Sequence, residues 1–306
     1  MTDVKTEKSF NRITVSDHQR KNKDKRLKDN PEDYRAVKLA NMIFLFCIIF
    51  EVVGIMTILF FGTVRAEMSI YFMTFLFSFF IWRKNKNIID IKIKRVNPLK
   101  LLHLSAIIVC GIPIALFLNY LAGLLSNAGA DSAEDVNTYP VILAIVVFAV
   151  VPAVVEEFVF RGCMLGAYSK VDVRAGILIS SLFFALLHFS FGSVLYGFFF
   201  GLLFAIVRLA TDNLSYTMAM HCLFNSLNVI LSYMRIGEIP TVVAVGVFIL
   251  AIIGFVVLLI LFFIKNTVDT SKSHSEDKYK PWKLITKEGY ITMAVCITVM
   301  GLLLMI

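Results

Sequence analysis

The stretch Val154–Gly162 reads VVEEFVFRG and follows the apolar run PVILAIVVFAVVPA, which begins at Pro140. The run is long and apolar enough to form most of a membrane helix. Two adjacent carboxylates, Glu156 and Glu157, and the guanidinium of Arg161 therefore lie in or beside a bilayer. A charge at the bilayer centre costs about 2.5–3.5 kcal/mol on insertion scales, so these side chains indicate a functional site.

The whole chain has the composition of a membrane protein. Its 306 residues are 58% hydrophobic with a mean hydropathy of +0.79, which excludes an ordinary soluble domain. The net charge of +8 comes from basic residues that crowd into a few connecting segments, so it does not indicate a nucleic-acid partner. The five cysteines form no Cys-x-x-Cys motif and predict no disulfide framework.

We therefore expect an all-α fold, a polytopic transmembrane bundle of eight to nine spans with its active site buried between the helices of a 140–232 core. Hydropathy predicts spans over 40–63, 64–82, 101–125, 141–168, 175–190, 193–210, 214–234, 241–264 and 289–306. By region, we expect a basic cytoplasmic tail over 1–39, N-terminal transmembrane helices over 40–139, a catalytic core over 140–235 and C-terminal transmembrane helices over 236–306.

The charges of the connecting segments predict the orientation. Residues 1–39 contain eleven Lys and Arg and residues 83–100 contain seven, whereas residues 126–140 contain none and have three acidic side chains. Basic segments stay on the cytoplasmic side of a membrane. The pattern predicts an integral membrane protein with a cytoplasmic N-terminus, located in the cell membrane if its source is bacterial.

Helical spacing separates the two glutamates of the opening stretch. Glu157 and Arg161 are four residues apart and share a helix face, so we expect an ion pair between them. Glu156 lies about 100° around the helix and points elsewhere. A structural ion pair needs only one glutamate, so the second one suggests chemistry. Pro152 comes four residues before Glu156, where it frees a backbone carbonyl and can kink the helix.

Polar side chains of two later spans reach a common depth. His188 lies fourteen residues from Arg174 at the inner end of its span, or ~21 Å of helix. Counted from Asp212 at the inner end of the seventh span, His221 lies ~14 Å and Asn225 ~20 Å away. The last two are four residues apart and share a face, whereas Asn228 is off that face and is expected to serve helix packing.

Glu156 reaches the same depth only if its helix is long. If the fourth helix continues past Arg161 to Lys170, Glu156 lies fourteen residues, or ~21 Å, from its inner end. We therefore predict this continuation. Gly197 and Gly201 in the sixth span have the small-residue spacing that lets helix backbones approach closely, and we expect them to serve packing.

A layer of carboxylates, imidazoles and an amide can hydrolyse a peptide bond in two ways. Glu156 can deprotonate a water while His and Asn side chains donate hydrogen bonds to the developing oxyanion. Alternatively, His188, His221 and Glu156 can hold Zn²⁺ or another divalent metal, with one position left for water. The residue types leave both routes open. Either route acts on a membrane-associated peptide or protein in the lipid bilayer.

The ordered set of motifs resembles one family, the CPBP intramembrane metalloproteases, which include the type II CAAX prenyl endopeptidases and the Abi bacteriocin-immunity proteins. The resemblance covers roughly residues 140–232. The matching motifs, on successive spans, are Glu156-Glu157-x-x-x-Arg161, Phe184-x-x-x-His188 and His221-x-x-x-Asn225.

The resemblance implies a role for each residue. Glu156 would activate the water, with Glu157 and Arg161 in support. The remaining three would complete the site as metal ligands or oxyanion donors: His188, His221 and Asn225. The substrates implied are prenylated C-terminal tails or peptide precursors such as bacteriocin or signalling-peptide leaders.

Two other functions stay open at this point. A non-proteolytic membrane scaffold or bacteriocin self-immunity protein could keep the polar layer for packing alone. A proton-coupled transporter could use buried Glu and His side chains as a relay. The sequence contains no internal repeat, which disfavours the transporter.

Overall fold

The computed structural model describes residues 27–126, 136–234, 240–268 and 279–304. The part of the chain within these ranges folds into helices with no strand, so the all-α prediction is confirmed. The helices are α1 Pro31–Phe61, α2 Thr63–Lys84, α3 Pro98–Ser126, α4 Val141–Ser169, α5 Val173–Leu186, α6 Phe191–Thr211, α7 Leu214–Met234, α8 Thr241–Lys265 and α9 Lys287–Leu303. Short 3₁₀ turns lie at Leu27–Asp29, Val136–Thr138 and Pro281–Leu284. Most of the predicted tail over 1–39 and the acidic part of the 126–140 loop lie outside the described residues.

Among the residues that the structure describes, six helices are long and apolar enough to cross a membrane, namely α1, α2, α3, α4, α6 and α8. Each of the other three predicted spans, 175–190, 214–234 and 289–306, also contains a helix, α5, α7 and α9 respectively. Two of these are short, with 14 residues in α5 and 17 in α9. The third, α7, contains His221, Asn225 and Asn228, and these polar side chains lower its hydropathy. The chain is an integral membrane protein with a polytopic helical bundle.

The first helix begins nine residues before the first predicted span, at Pro31. The side chain of Asn30 caps it by accepting hydrogen bonds from the backbone N–H groups of Glu32 and Asp33, at 3.2 and 3.4 Å. Proline at the first helical position has the φ that a helix requires. Local capping therefore starts the helix within polar sequence, before hydropathy rises.

Helix α4 lies at the centre of the bundle. It packs against α1, α2, α5, α6 and α7, whereas α8 packs on α3 and α9 packs on α1 and α5. Most large side chains of α8 are exposed, including Val242 at 85% and Leu250 at 71%, and such a surface suits lipid. The peripheral helices thus cover a core built around the stretch that carries both glutamates.

Helices α5 and α6 approach closely where the two glycines of α6 lie. A Cβ atom on Gly201 would be 3.2 Å from the backbone oxygen of Ser181, and one on Gly197 would be 3.5 Å from the Cα of Ala185. A side chain at Gly201 would push the helices apart, whereas a methyl group at Gly197 would make an ordinary van der Waals contact. The close approach that was predicted for the glycine pair is therefore present, and it is tightest at Gly201.

The link between α2 and α3 is fastened to the turn between α6 and α7. The backbone N–H of Leu214 donates to the carbonyl of Lys92 at 2.8 Å, and the N–H of Lys94 donates to the side-chain oxygen of Asn213 at 3.0 Å. The Lys92 ammonium also donates to the Asp212 carboxylate at 2.8 Å. This hydrogen bond raises the pKa of Lys92. The link and the start of α7 therefore share one end of the bundle.

Candidate active site

Helix α4 runs unbroken past Arg161 to Ser169, so the predicted continuation is confirmed. Two stretches of π-helix interrupt its α-helical hydrogen bonding, one over Val146–Val150 and one over Glu157–Met164. The first ends two residues before Pro152, which has no N–H to donate. Glu156 is the last residue between the two π segments. Such segments often occur at functional sites because they redirect neighbouring side chains.

The ion pair predicted within the opening stretch is present and fully enclosed. Arg161 Nη1 lies 3.2 Å from Glu157 Oε1, and the two side chains are 1% and 0% exposed. The guanidinium also donates to the Gly201 carbonyl at 3.3 Å and lies 4.0 Å from the ring centroid of Phe184. A buried ion pair needs such extra contacts to offset the loss of water. Glu157 is therefore held as a carboxylate facing away from the cavity described below.

His221 on α7 completes this buried network. Its Nδ1 lies 3.0 Å from Glu157 Oε1, and because an ionised carboxylate can only accept, Nδ1–H is the donor. In the neutral ring, Nε2 then carries a lone pair, and it lies 3.8 Å from Glu156 Oε2. Glu157 thus fixes the tautomer of His221 and aims the other ring nitrogen at Glu156.

Glu156 has a different environment from its neighbour. It is 9% exposed and contacts a residue that the sequence did not single out: the Tyr71 hydroxyl of α2 donates to Glu156 Oε1 at 3.3 Å. One carboxylate oxygen faces Tyr71 and the other faces His221. Tyr71 stands in the apolar sequence SIYFMTF, 85 residues before Glu156, so no local pattern links the two.

His188 lies just beyond the end of α5, which stops at Leu186, four residues before the predicted span end. Phe189 has a left-handed backbone with φ of 50°, and Ser190 caps the next helix by accepting from the N–H of Ser193. The Nδ1–H of His188 donates to the Phe184 carbonyl at 3.0 Å. The neutral ring therefore also keeps its lone pair on Nε2.

One cavity of about 530 Å³ collects four of the six predicted site residues. They are Glu156, His188, His221 and Asn225. The other two, Glu157 and Arg161, lie behind its wall. The cavity also has polar lining that sequence reasoning did not assign to a site, namely Glu67, Tyr71, Asn119 and Asn228. Three of these come from α2 and α3, which lie outside the resembling segment.

The fit of this site to a metal ion is mixed. The lone pairs on Nε2 of both histidines suit a metal, and a carboxylate behind a ligating imidazole is a common second partner. However, within the described ranges no three His, Cys, Asp or Glu side chains are gathered closely enough to hold a metal ion. As placed in this structure, His188, His221 and Glu156 therefore do not form a three-ligand metal site.

The fold and the site together define a class: a polytopic membrane protein with a carboxylate–imidazole site inside its helical bundle. Residues 138–227 match the family model described as type II CAAX prenyl endopeptidase Rce1-like, which confirms the resemblance over that segment. No curated protein and no solved structure matches the chain. The family match supports an intramembrane endopeptidase in general terms.

Proposed function

We propose that this protein hydrolyses peptide bonds inside the membrane with a water activated by Glu156. The main support is the division of labour between two adjacent carboxylates. Glu157 is tied to Arg161 and His221 and is sealed from the cavity, whereas Glu156 lines the cavity beside two imidazoles. A packing network would need only the first of these arrangements.

In the proposed reaction, Glu156 removes a proton from water as the oxygen attacks the scissile carbonyl carbon. The electrons of the carbonyl π bond move onto its oxygen, which gives a tetrahedral intermediate with an oxyanion. When this intermediate collapses and the C–N bond breaks, the protonated Glu156 gives its proton to the departing amine. Such acid–base catalysis contributes about 10²–10⁴-fold to a rate. The Tyr71 hydroxyl holds one carboxylate oxygen of Glu156 by donating to it at 3.3 Å, and His221 Nε2 lies 3.8 Å from the other oxygen.

Asn225 is the proposed donor to the oxyanion. Its amide lies one helical turn beyond His221 on the same face of α7 and lines the same cavity. The neutral histidines have no N–H left on Nε2, so an amide is the better donor in this site. We assign His188, whose Nε2 carries a lone pair, to accept a hydrogen bond from the backbone of the substrate.

No step of this mechanism uses a metal ion. The substrate we propose is a membrane-associated peptide or protein, because the site lies between helices that cross the bilayer. A metalloprotease mechanism and a self-immunity role are the alternatives to this scheme. The experiment below distinguishes the three.

The test is cleavage in reconstituted proteoliposomes. Wild type, Glu156→Gln and Glu288→Gln would each be incubated with a pooled library of single-span peptides, with and without a chelator, and products read by mass spectrometry. Glu288 is a matched control because it is another glutamate in the bundle, at the start of α9, outside the cavity lining. We expect cleavage by wild type and Glu288→Gln but not by Glu156→Gln.

Other outcomes would identify a different function. Cleavage that the chelator abolishes would replace the metal-free scheme with a metalloprotease. Absence of cleavage by folded wild type across the library would favour a scaffold or self-immunity protein.

A further inference from the structure

The active-site cavity lies toward one end of the bundle. Its walls come from the beginning of α2, the last part of α3, the first half of α4, the loop after α5, the first half of α6 and the second half of α7. Because successive helices run in opposite directions, these segments all lie on the same side of the membrane. One lining residue from each is Glu67, Asn119, Phe148, His188, Tyr196 and Ser232.

The opposite end of the cavity is closed by packed side chains. On α4, every residue from Glu157 to Leu165 is buried. Across from them, Phe204 of α6 is 1% exposed, and the Arg161 guanidinium lies 5.5 Å from its ring centroid. The described residues thus form a floor beneath Glu156 and His221.

The walls extend from this floor to exposed residues. On α7, His221 is 4% exposed, whereas Ser232, eleven residues further along, is exposed. Eleven helical residues span ~16 Å, which is the depth of the cavity along this wall. On α3, Leu116 lines the cavity and is 56% exposed. A substrate therefore reaches Glu156 from the Ser232 end.

Charge identifies the sides of the membrane. The link between α2 and α3, together with the helix ends that flank it, contains seven Lys and Arg over 83–100. It is bound to the start of α7 through the Lys92–Leu214 hydrogen bond, so it lies at the floor end of the cavity. The sequence at the other end, 127–140, contains no Lys or Arg and three acidic residues. Basic segments remain cytoplasmic.

We infer that the active-site cavity is entered from the non-cytoplasmic side of the membrane. This inference rests on the proposed function, in which the cavity receives a substrate. It also narrows the class of substrate. Substrates are peptide segments presented on the non-cytoplasmic face, next to a membrane anchor. A tail confined to the cytoplasmic face, prenylated or not, cannot reach Glu156 past the buried layer of Arg161 and Phe204.

Cysteine labelling tests the inference without requiring activity. Ser232→Cys reports the mouth, Asn228→Cys reports the cavity wall, and Asn87→Cys reports the basic link, where Asn87 is exposed. Each variant would be treated with a membrane-impermeant maleimide in spheroplasts and in inverted vesicles. Wild type treated in parallel corrects for the five native cysteines.

We expect a maleimide mass shift on Ser232→Cys and Asn228→Cys in spheroplasts, and on Asn87→Cys only in inverted vesicles. Labelling of Asn228→Cys and Ser232→Cys only in inverted vesicles would overturn the inference, because the cavity would then open to the cytoplasm. Labelling of Asn228→Cys equally from both sides would also overturn it, because the floor would not be closed. The cleavage assay of the proposed function can fail independently of any of these results.

Discussion

Glu156 and Glu157 are neighbours in sequence with opposite surroundings in the structure. The spacing of Glu157 and Arg161 was sufficient to predict their ion pair. The partner on the other side, His221, could not be predicted from spacing because it lies 64 residues away on a separate helix. Local periodicity reports which residues share a helix face, whereas contacts between helices depend on how the helices rotate against each other.

Removing the charge of Glu157 should destabilise the fold. Glu157→Gln leaves the Arg161 guanidinium buried without its counter-charge, at an expected cost of about 3–5 kcal/mol in the free energy of unfolding. SDS titration in mixed micelles measures this change. The double variant Glu157→Gln, Arg161→Met should recover most of the stability without recovering cleavage. An unchanged midpoint for the single variant would show that the pair is not a structural element.

The Tyr71 hydroxyl provides a second test at the level of single residues. Tyr71→Phe removes the donor to Glu156 Oε1 and keeps the ring, so we expect kcat to fall while KM stays unchanged. A hydrogen bond to a charged group contributes about 1.5–3 kcal/mol, and the low end corresponds to roughly a tenfold loss of rate. Tyr120→Phe, at an exposed position of α3, is the control. Equal rates for the two variants would remove Tyr71 from the site.

The positions of the His and Glu side chains lead to a prediction about the metal dependence of cleavage. Since the described His and Glu side chains of the site do not converge as a three-ligand set, we expect cleavage to survive exhaustive dialysis against a chelator. Elemental analysis of the purified protein provides a readout independent of activity. Stoichiometric zinc that is lost from His188→Ala would contradict this expectation.

At the scale of elements, the length of α4 could be predicted and its hydrogen bonding could not. Matching the depth of Glu156 to that of His188 required a helix to Lys170, and the structure has one to Ser169. The first π segment ends two residues before Pro152, whereas the second has no sequence signature. The early end of α5 at Leu186 could not be predicted either, because the turn that follows it uses a left-handed backbone at Phe189, which is uncommon for an aromatic residue.

The contact between α5 and α6 can be tested with a matched pair of glycines. Gly201→Ala places a methyl group 3.2 Å from the Ser181 carbonyl oxygen, so we expect a loss of about 1–3 kcal/mol in the free energy of unfolding. Gly246→Ala on α8 meets nothing within 4 Å and should cause no loss. Both are read by SDS titration. Equal stability of the two variants would show that α5 and α6 have room to separate.

For the whole molecule, composition and hydropathy were enough to predict a helical membrane bundle. They could not predict which flanking helices contribute to the site. Glu67, Tyr71 and Asn119 enter the cavity from α2 and α3, although the family match covers only 138–227. Their contribution follows from tertiary packing around α4. The flanking helices α2 and α3 therefore line the cavity that contains Glu156, whereas none of its lining residues comes from α8 or α9.

In the proposed mechanism, Glu156 activates the hydrolytic water. This role is tested by the single-turnover cleavage rate of one identified peptide by wild type, Glu288→Gln and Glu156→Gln, each shown to be folded by SDS titration. We expect Glu288→Gln to match wild type and Glu156→Gln to be slower by about 10²–10⁴-fold, the usual contribution of a general base. A Glu156→Gln rate close to that of wild type would show that another group activates the water.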